Sequence, residues 1–317
     1  MIQNQINMES RENKENLDGI VTFANRFIIL FLTSYFIAKI IIGILQKILK
    51  ISIFDNMTHI LLPFFSLLFV LTIGSRLFRT TPKQIILGER TTSKLPIIDS
   101  ILLMLSLFFF EYGIVLLSLP YLKSFSPDEF NPEPMFNLII SIIGPCILGP
   151  VNEEILCRRI GFQYAQKYGT MFAVVTSSVM FALAHGVSLQ VLYALLLGFC
   201  VGILCAKTGR ILWSILLHMA HNGFMVVMTY LFPFYEGIPS PRFYLLWALF
   251  AVLSIMCFLL YAARQKISLR ALFIKANVKK LWVQMKSDKS KYKAYFISTG
   301  ALVVYFVAFM NFLMFLI

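Results

Sequence analysis

Residues 135–156 read MFNLIISIIGPCILGPVNEEIL, an apolar run with two adjacent glutamates near its end. A helix needs about 20 residues to cross the hydrocarbon core of a bilayer, and this run is long enough. About nine runs of this kind occur along the chain, and they predict membrane spans at 22–45, 57–75, 97–122, 135–156, 169–187, 189–206, 211–234, 242–263 and 295–317. The sequence therefore predicts an all-α fold, a polytopic transmembrane bundle of about eight or nine spans.

The overall composition points the same way. Of the 317 residues, 59% are hydrophobic and 14% are charged, and the mean hydropathy is +0.80. Soluble domains are closer to half apolar and about a quarter charged, so a soluble fold with this composition would lack polar surface to cover its core. No internal repeat and no soluble segment is visible. We therefore expect residues 1–317 to form a single membrane domain, multi-pass in the cell membrane.

The net charge of +13 comes mainly from one segment. Residues 264–293 contain ten basic residues and one acid, Asp288, and so contribute +9. A basic segment that alternates with apolar residues and lies between two apolar runs is typical of an amphipathic helix at the membrane surface, bound to anionic lipid. Nucleic acid is not expected as a partner. The five cysteines are odd in number and lie in or beside the apolar runs, which predicts buried, reduced thiols.

The orientation follows from the distribution of Lys and Arg in the short loops, which are enriched on the cytoplasmic side. The loop at 123–134 has one Lys against three acidic residues. The connections on the opposite side are basic, and they lie at 76–94, 158–167, 207–210 and 264–293. We therefore expect the N-terminus and the main basic loops to be cytoplasmic.

Ionisable residues within membrane spans are costly, so each is a candidate functional residue. Glu154 and Arg158 are four residues apart, share one helix face and can pair. Glu153 is rotated by about 100° from Glu154 and can point at a different target. Pro145 and Pro150 precede this acidic pair and predict a bend, because proline removes a helical hydrogen bond.

Three of the four histidines lie on apolar spans downstream of the acidic pair. His185 falls at the end of FALAH, in the fifth predicted span. His218 and Asn222 fall in HMAHN, in the seventh, and are again four residues apart, so both can face one cavity. His221 is one step round from Asn222, and His59 lies near the start of the second span. Structural or interfacial roles are expected for these last two.

Glutamate and histidine on separate helices supply what peptide hydrolysis requires. A carboxylate in a low-dielectric site can take a proton from water, and a histidine can share that task or protonate the leaving amine. A second histidine with an asparagine amide can stabilise the tetrahedral oxyanion. Two histidines and one carboxylate could instead hold Zn²⁺ with one open position. The zincin motif His-Glu-x-x-His is absent from the sequence.

The three motifs together resemble the signature of the CPBP family. They are Glu153-Glu-x-x-x-Arg158, Phe181-x-x-x-His185 and His218-x-x-x-Asn222. The family comprises the type II CAAX prenyl endopeptidases and bacterial proteins linked to bacteriocin processing and self-immunity. The resemblance covers a three-motif core at 145–225, and Arg159 replaces the glycine often found after the arginine of the first motif.

The resemblance implies a role for each motif residue. Glu153 with His185 would activate the attacking water, and His218 with Asn222 would form the oxyanion site. Glu154 and Arg158 would orient the first motif, and Phe181 would pack beside His185. The family is often described as metalloproteases, yet its structural picture favours a glutamate-activated water. We therefore expect no obligatory cofactor. If Zn²⁺ is bound, its ligands would be Glu153, His185 and His218.

Alternative interpretations remain at this point. Taken singly, the motifs are typical of a helix-end ion pair or of hydrogen bonds between membrane helices. The chain could also be a non-catalytic scaffold or bacteriocin self-immunity protein with the same fold, or a transporter that relays protons, although no repeat symmetry supports transport. The abundance of Lys, Ile, Asn and Phe indicates an AT-rich bacterial genome, which favours a leader or signalling peptide, or a membrane protein, over a prenylated substrate.

One expectation conflicts with simple topology. The predicted span boundaries put Glu153 near the cytoplasmic end of the fourth span and His185 near the far end of the fifth. The two side chains can meet only if the fourth helix extends beyond residue 156, or if the fifth is tilted or displaced.

Overall fold

The structure is a computed structural model that describes residues 2–49, 53–87, 95–118, 139–140, 142–185, 190–231, 241–268, 283, 286–298 and 300–302. Within these ranges every regular element is a helix and no strand occurs. This confirms the prediction of an all-α fold.

The described residues form ten principal helices, in the following order along the chain. They are α1 (Ile2–Leu49), α2 (Ile53–Phe69), α3 (Pro82–Leu87), α4 (Ile97–Ser118), α5 (Gly149–Glu154), α6 (Thr170–Ala184), α7 (Gln190–Thr208), α8 (Ile211–Leu231), α9 (Pro241–Arg264) and α10 (Lys289–Phe296). A π-helical stretch, Val70–Gly74, and a short turn of helix, Ser75–Leu77, continue α2.

Five of the described helical stretches are long and apolar enough to cross a membrane. They lie at Lys14–Ile48, Met57–Leu77, Ile97–Leu116, Val191–Thr208 and Tyr244–Arg264, and shorter apolar helices occupy Thr170–Ala184 and Ile211–Val227. Each falls on a predicted span. The last predicted span, 295–317, lies outside the described residues beyond position 302.

The outward faces of these helices are apolar. Phe36 on α1 is 65% exposed and Leu245 on α9 is 73% exposed, and many other large apolar side chains are similarly uncovered. Extended apolar surface of this kind is not stable against water and is normal against lipid. Together with the spans, these faces make the chain a multi-pass helical membrane protein.

The helix that carries the acidic pair changes its geometry twice. A π-helical segment, Gly144–Leu148, leads into α5, and a second one, Ile155–Phe162, follows it. The chain stays helical through Gln163–Ala165 and the 3₁₀ turn Gln166–Tyr168. The fourth predicted span therefore ends too early at 156. The glutamates lie in the interior of a longer helix, and the α-helical turn that holds them is flanked by π-helical segments, which are often found at functional sites.

The extension of this helix resolves the conflict over the depth of Glu153 and His185. Gly169 ends the helix with a φ of +132°, a conformation that favours glycine. The chain then returns along α6. Glu153 lies 16 residues before Gly169 and His185 lies 16 residues after it. Because both arms are helical, similar residue counts bring the two side chains to similar depth.

Polar contacts and small residues hold neighbouring helices together. Ser106 on α4 donates to the carbonyl of Ser254 on α9 at 3.2 Å, and Ser254 donates back to the carbonyl of Ser106 at 3.0 Å. Gly144 lies so close to α2 that a Cβ atom placed there would be 2.5 Å from the carbonyl oxygen of His59. Such contacts are the usual means of helix association in lipid, where burial from water contributes little.

Only part of the basic segment 264–293 can be described. Arg264 ends α9 and pairs with the buried Asp99 of α4. At the other end, Lys291 of α10 pairs with Asp288 at 2.7 Å. The predicted amphipathic helix falls mostly on residues 269–282, which lie outside the described residues. The five cysteines are all buried and none of them forms a disulfide, as predicted.

Candidate active site

Two predicted site histidines, on two different helices, converge on one carboxylate oxygen of Glu153. Oε2 of Glu153 lies 3.8 Å from Nε2 of His185 and 3.9 Å from Nε2 of His218. This oxygen is buried and has no hydrogen-bond partner among the described residues. Both gaps are too long for direct hydrogen bonds. A single water molecule can bridge gaps of this size.

The other ring nitrogen of each histidine indicates which nitrogen carries a proton. Nδ1 of His185 lies 2.8 Å from the carbonyl oxygen of Phe181, and Nδ1 of His218 lies 3.1 Å from Oε1 of Glu154. A carbonyl only accepts, and an ionised carboxylate only accepts, so both Nδ1 atoms are assigned as donors. In the neutral state, each Nε2 then presents a lone pair towards Glu153.

Glu154 holds this arrangement in place through a buried ion pair. Its carboxylate is fully buried, and Oε2 lies 3.2 Å from Nε of Arg158, the ion pair expected from their spacing. The buried Arg158 guanidinium also donates through Nη2 to the carbonyl of Gly198 on α7 at 2.9 Å. Glu154 therefore links its own helix to His218 on α8, and Arg158 links it to α7.

Phe181 lies at the centre of these groups. Its ring centroid is 4.8 Å from that of His185 and 5.3 Å from that of His218. The Arg158 guanidinium carbon lies over the same ring at 4.9 Å from its centroid, a cation–π distance. Phe181 thus packs against His185, and its ring also contacts His218 and the buried arginine.

Asn222 contacts the π-helical segment Gly144–Leu148, which precedes the acidic pair. Its Nδ2 donates to the carbonyl oxygen of Pro145 at 2.6 Å. In a π-helical register that carbonyl would receive the N–H of residue 150, but Pro150 has none. The two prolines therefore leave an acceptor that Asn222 satisfies. The amide nitrogen carries a second hydrogen that this contact does not use.

Two residues of the first helices extend the site beyond the predicted motifs. Nδ2 of the buried Asn152 donates to the hydroxyl of Tyr35 on α1 at 3.2 Å and to Oγ of Ser66 on α2 at 3.1 Å. The Tyr35 hydroxyl also lies beside the carboxylate of Glu153. Tyr35 and Ser66 carry no motif signal in the sequence, and only the packing of α1 and α2 on this helix reveals them.

His221 and His59 lie apart from the converging groups. Nδ1 of His221 lies 2.9 Å from both carboxylate oxygens of Glu111 on α4, and Glu111 is completely buried. His59 is exposed on α2. Glu111 is absent from the predicted site residues, although an acidic side chain inside the apolar run 97–122 was a visible signal.

Glutamate and histidine side chains are also common ligands of Zn²⁺. In the ranges that the structure covers, no group of three or more His, Cys, Asp or Glu side chains is arranged to hold a metal ion. The expectation of no obligatory cofactor stays a prediction, and the arrangement of Glu153, His185 and His218 is not such a group as placed. It does provide two acceptors, Oε2 and a neutral Nε2, that can receive the two hydrogens of one water molecule.

Comparisons with known proteins agree with the three motifs. Residues 135–224 match the family model "Type II CAAX prenyl endopeptidase Rce1-like". The chain is 31% identical over 184 residues to the Bacillus subtilis (strain 168) protein named "Putative membrane peptidase YdiL", and the match covers 55% of this chain and 74% of that protein. No solved structure matches the chain. The chain therefore belongs to the CPBP family of membrane proteases, the family of the type II CAAX prenyl endopeptidases.

Proposed function

We propose that this protein is an intramembrane endopeptidase in which Glu153 and His185 activate the water that hydrolyses the peptide bond. The observation that carries the proposal is the position of Glu153 Oε2, buried and without a hydrogen-bond partner among the described residues, 3.8 Å from Nε2 of His185. Buried polar atoms are nearly always paired, so one left open within a polar cluster suggests a place for a reactant.

The attacking water donates one hydrogen bond to each of two acceptors, on Glu153 and His185. One water hydrogen faces Oε2 of Glu153 and the other faces Nε2 of His185, which leaves an oxygen lone pair free to attack the scissile carbonyl carbon. As the new C–O bond forms, one O–H bond breaks and its proton passes to Glu153. When the C–N bond breaks, that proton is returned to the leaving amine.

His218 and Asn222 form the proposed oxyanion site. His218 can donate from Nε2 when both ring nitrogens are protonated, and the buried carboxylate of Glu154 at 3.1 Å from Nδ1 would balance that charge. Asn222 would use its second amide hydrogen. Fixed donors of this kind stabilise the charge of the tetrahedral intermediate without reorganising in the reaction. Glu154, Arg158 and Phe181 hold these groups in place.

No step of this scheme passes through a metal ion. We propose a glutamate-activated water without an obligatory cofactor, because the described side chains can supply the acceptors and donors that the scheme needs.

The substrate is proposed to be a leader or signalling peptide, or a membrane protein, cleaved near the membrane surface. The basic loops favour a cytoplasmic N-terminus. The segment 264–293 is proposed to lie on anionic lipid. We take residues 1–317 as one membrane domain, with the reacting groups in its core at 145–225.

The test is complementation of a null strain with matched variants. The strain receives the wild-type gene, Glu153→Ala, His185→Ala or His218→Ala, and His59→Ala as a control on an exposed histidine. Expression is matched by immunoblot, and new N-termini in the membrane fraction and medium are identified by mass spectrometry.

The proposal expects a set of cleaved peptides in the wild-type and His59→Ala strains that disappears in the other three. If all three site variants process the same peptides as the wild type, the protease proposal is wrong and a non-catalytic scaffold is favoured.

A further inference from the structure

A second carboxylate–histidine pair lies outside the three motifs. Glu111, on α4, has no exposed surface, and its two oxygens each lie 2.9 Å from Nδ1 of His221 on α8. The hydroxyl of the next residue, Tyr112, donates to the backbone carbonyl of His221. The rings of Tyr112 and His221 also pack, with centroids 5.1 Å apart. Two consecutive residues of α4 therefore hold both the side chain and the backbone of one residue of α8.

The pair lies immediately beside the proposed oxyanion site. His221 is followed in the chain by Asn222, whose amide contacts the Pro145 carbonyl at 2.6 Å, and one turn earlier His218 contacts Glu154 at 3.1 Å. Residues 221 and 222 differ by about 100° around the helix axis. The helix α8 is thus held to α4 through residue 221, and to the helix that carries Pro145 and Glu154 through residues 218 and 222.

We propose that Glu111 and His221 are a positioning pair that sets the rotation of α8, so that His218 and Asn222 face the carboxylate of Glu153. This inference rests on the proposed function. Neither residue of the pair would touch the substrate. Their contact fixes the two residues that do, and a misplacement of about 1 Å at a reacting centre can reduce the rate by about 100-fold.

A buried acid is an expensive means of joining two membrane helices, which argues for a specific geometric role. A polar pair in a bilayer adds only modestly to the stability of helix association, whereas apolar packing would serve simple adhesion as well. A hydrogen bond from a fixed ring nitrogen to a fixed carboxylate has a direction, and it specifies one rotation of α8 relative to α4.

Two substitutions of His221 separate geometry from packing. The contact uses Nδ1, and an asparagine amide can place a donor near that position, while a glutamine amide reaches further, towards the position of Nε2. His221→Asn should therefore keep the contact with Glu111, and His221→Gln should lose it. Glu111→Ala removes the acceptor. Leu212→Ala, at an exposed apolar position on the same helix, is the control.

The experiment uses full-length protein in lipid nanodiscs and a peptide whose cleavage depends on Glu153. We expect His221→Gln and Glu111→Ala to lower kcat by about 10- to 100-fold at unchanged KM. His221→Asn should retain most of the wild-type kcat, and Leu212→Ala should match the wild type. The double variant Glu111→Ala/His221→Gln should lose no more than either single variant, because the two residues act as one contact.

The positioning role is overturned if His221→Gln and Glu111→Ala have wild-type kcat while Glu153→Gln is inactive. It is also overturned if His221→Asn and His221→Gln lose kcat equally, or if the losses at 111 and 221 are additive. The proposed function requires at least one peptide that the wild type cleaves and Glu153→Gln does not. If no such peptide is found, the proposed function itself fails, and the positioning role fails with it.

Discussion

Nδ1 of His218 lies 3.1 Å from Oε1 of Glu154, although the two residues are 64 positions apart and belong to different helices. Both side chains are almost fully buried, and the same carboxylate lies 3.2 Å from Arg158 through its other oxygen. One glutamate thus orients a histidine of the proposed oxyanion site and neutralises a buried guanidinium. The stability of the helix bundle and the geometry of the site depend on the same carboxylate.

Arg158→Leu is expected to destabilise the protein strongly. The substitution leaves the buried Glu154 carboxylate with His218 alone and removes the contact with the Gly198 carbonyl. Breaking a buried ion pair by removing one partner costs about 3–5 kcal/mol in soluble proteins. The stability of Arg158→Lys should lie between that of the wild type and that of Arg158→Leu, because lysine keeps the charge but not the forked donor geometry. The measurement is the midpoint of thermal unfolding in detergent.

Arg210→Gln is the matched control, because Arg210 is exposed at the start of α8. Its unfolding midpoint should stay close to that of the wild type. A midpoint for Arg158→Leu equal to that of Arg210→Gln would show that the buried ion pair does not hold the helices together.

Gly144→Ala is expected to weaken the packing of α2 against the π-helical segment Gly144–Leu148. The added Cβ would lie 2.5 Å from the carbonyl oxygen and 2.8 Å from the carbonyl carbon of His59, so one backbone must move. Overpacking of this kind costs about 1–3 kcal/mol. Gly43→Ala is the control, since nothing lies within 4 Å of a Cβ at that position. The account requires a lower unfolding midpoint for Gly144→Ala only, and equal midpoints would contradict it.

The membrane spans and one contact of the site could be predicted from local features of the sequence. The spans follow from run length and hydropathy, which depend on nothing beyond the local chain. The Glu154–Arg158 contact follows from helical periodicity in the same way. The meeting of Glu153 with His185 was implied by the family resemblance but did not follow from the span boundaries, because the predicted span ended at 156. The π-helical segment Ile155–Phe162 carries the helix on to Tyr168, and its charged residues broke the apolar run used to set the boundary.

Contacts between distant helices account for what the sequence could not predict. Tyr35 reaches Asn152 across 117 positions, and Glu111 reaches His221 across 110. Residue spacing in the sequence predicts neither contact, because the packing of α1 and α4 against the site decides which residues meet. The cost of burying an acid in a span marked Glu111 as a candidate in the sequence. Nothing in the sequence identified His221 as its partner.

Removal of divalent metals is expected to leave cleavage unchanged. The proposed scheme uses only side chains, so dialysis against a chelator should not lower kcat, and elemental analysis of the purified protein should give much less than one zinc per chain. A stoichiometric zinc ion whose removal abolishes activity, with recovery on adding zinc back, would contradict the scheme. Zinc would then have to be held by Glu153, His185 and His218 in a closer arrangement than the present one.

The most direct measurement of the central claim is the rate of peptide cleavage by purified Glu153→Gln in nanodiscs, beside the wild type. Glutamine has the shape of glutamate but cannot take a proton from water. General-base catalysis contributes about 10²- to 10⁴-fold to the rate. The account predicts a fall in kcat of that size with an unfolding midpoint close to that of the wild type. A Glu153→Gln protein that cleaves at the wild-type rate would contradict it.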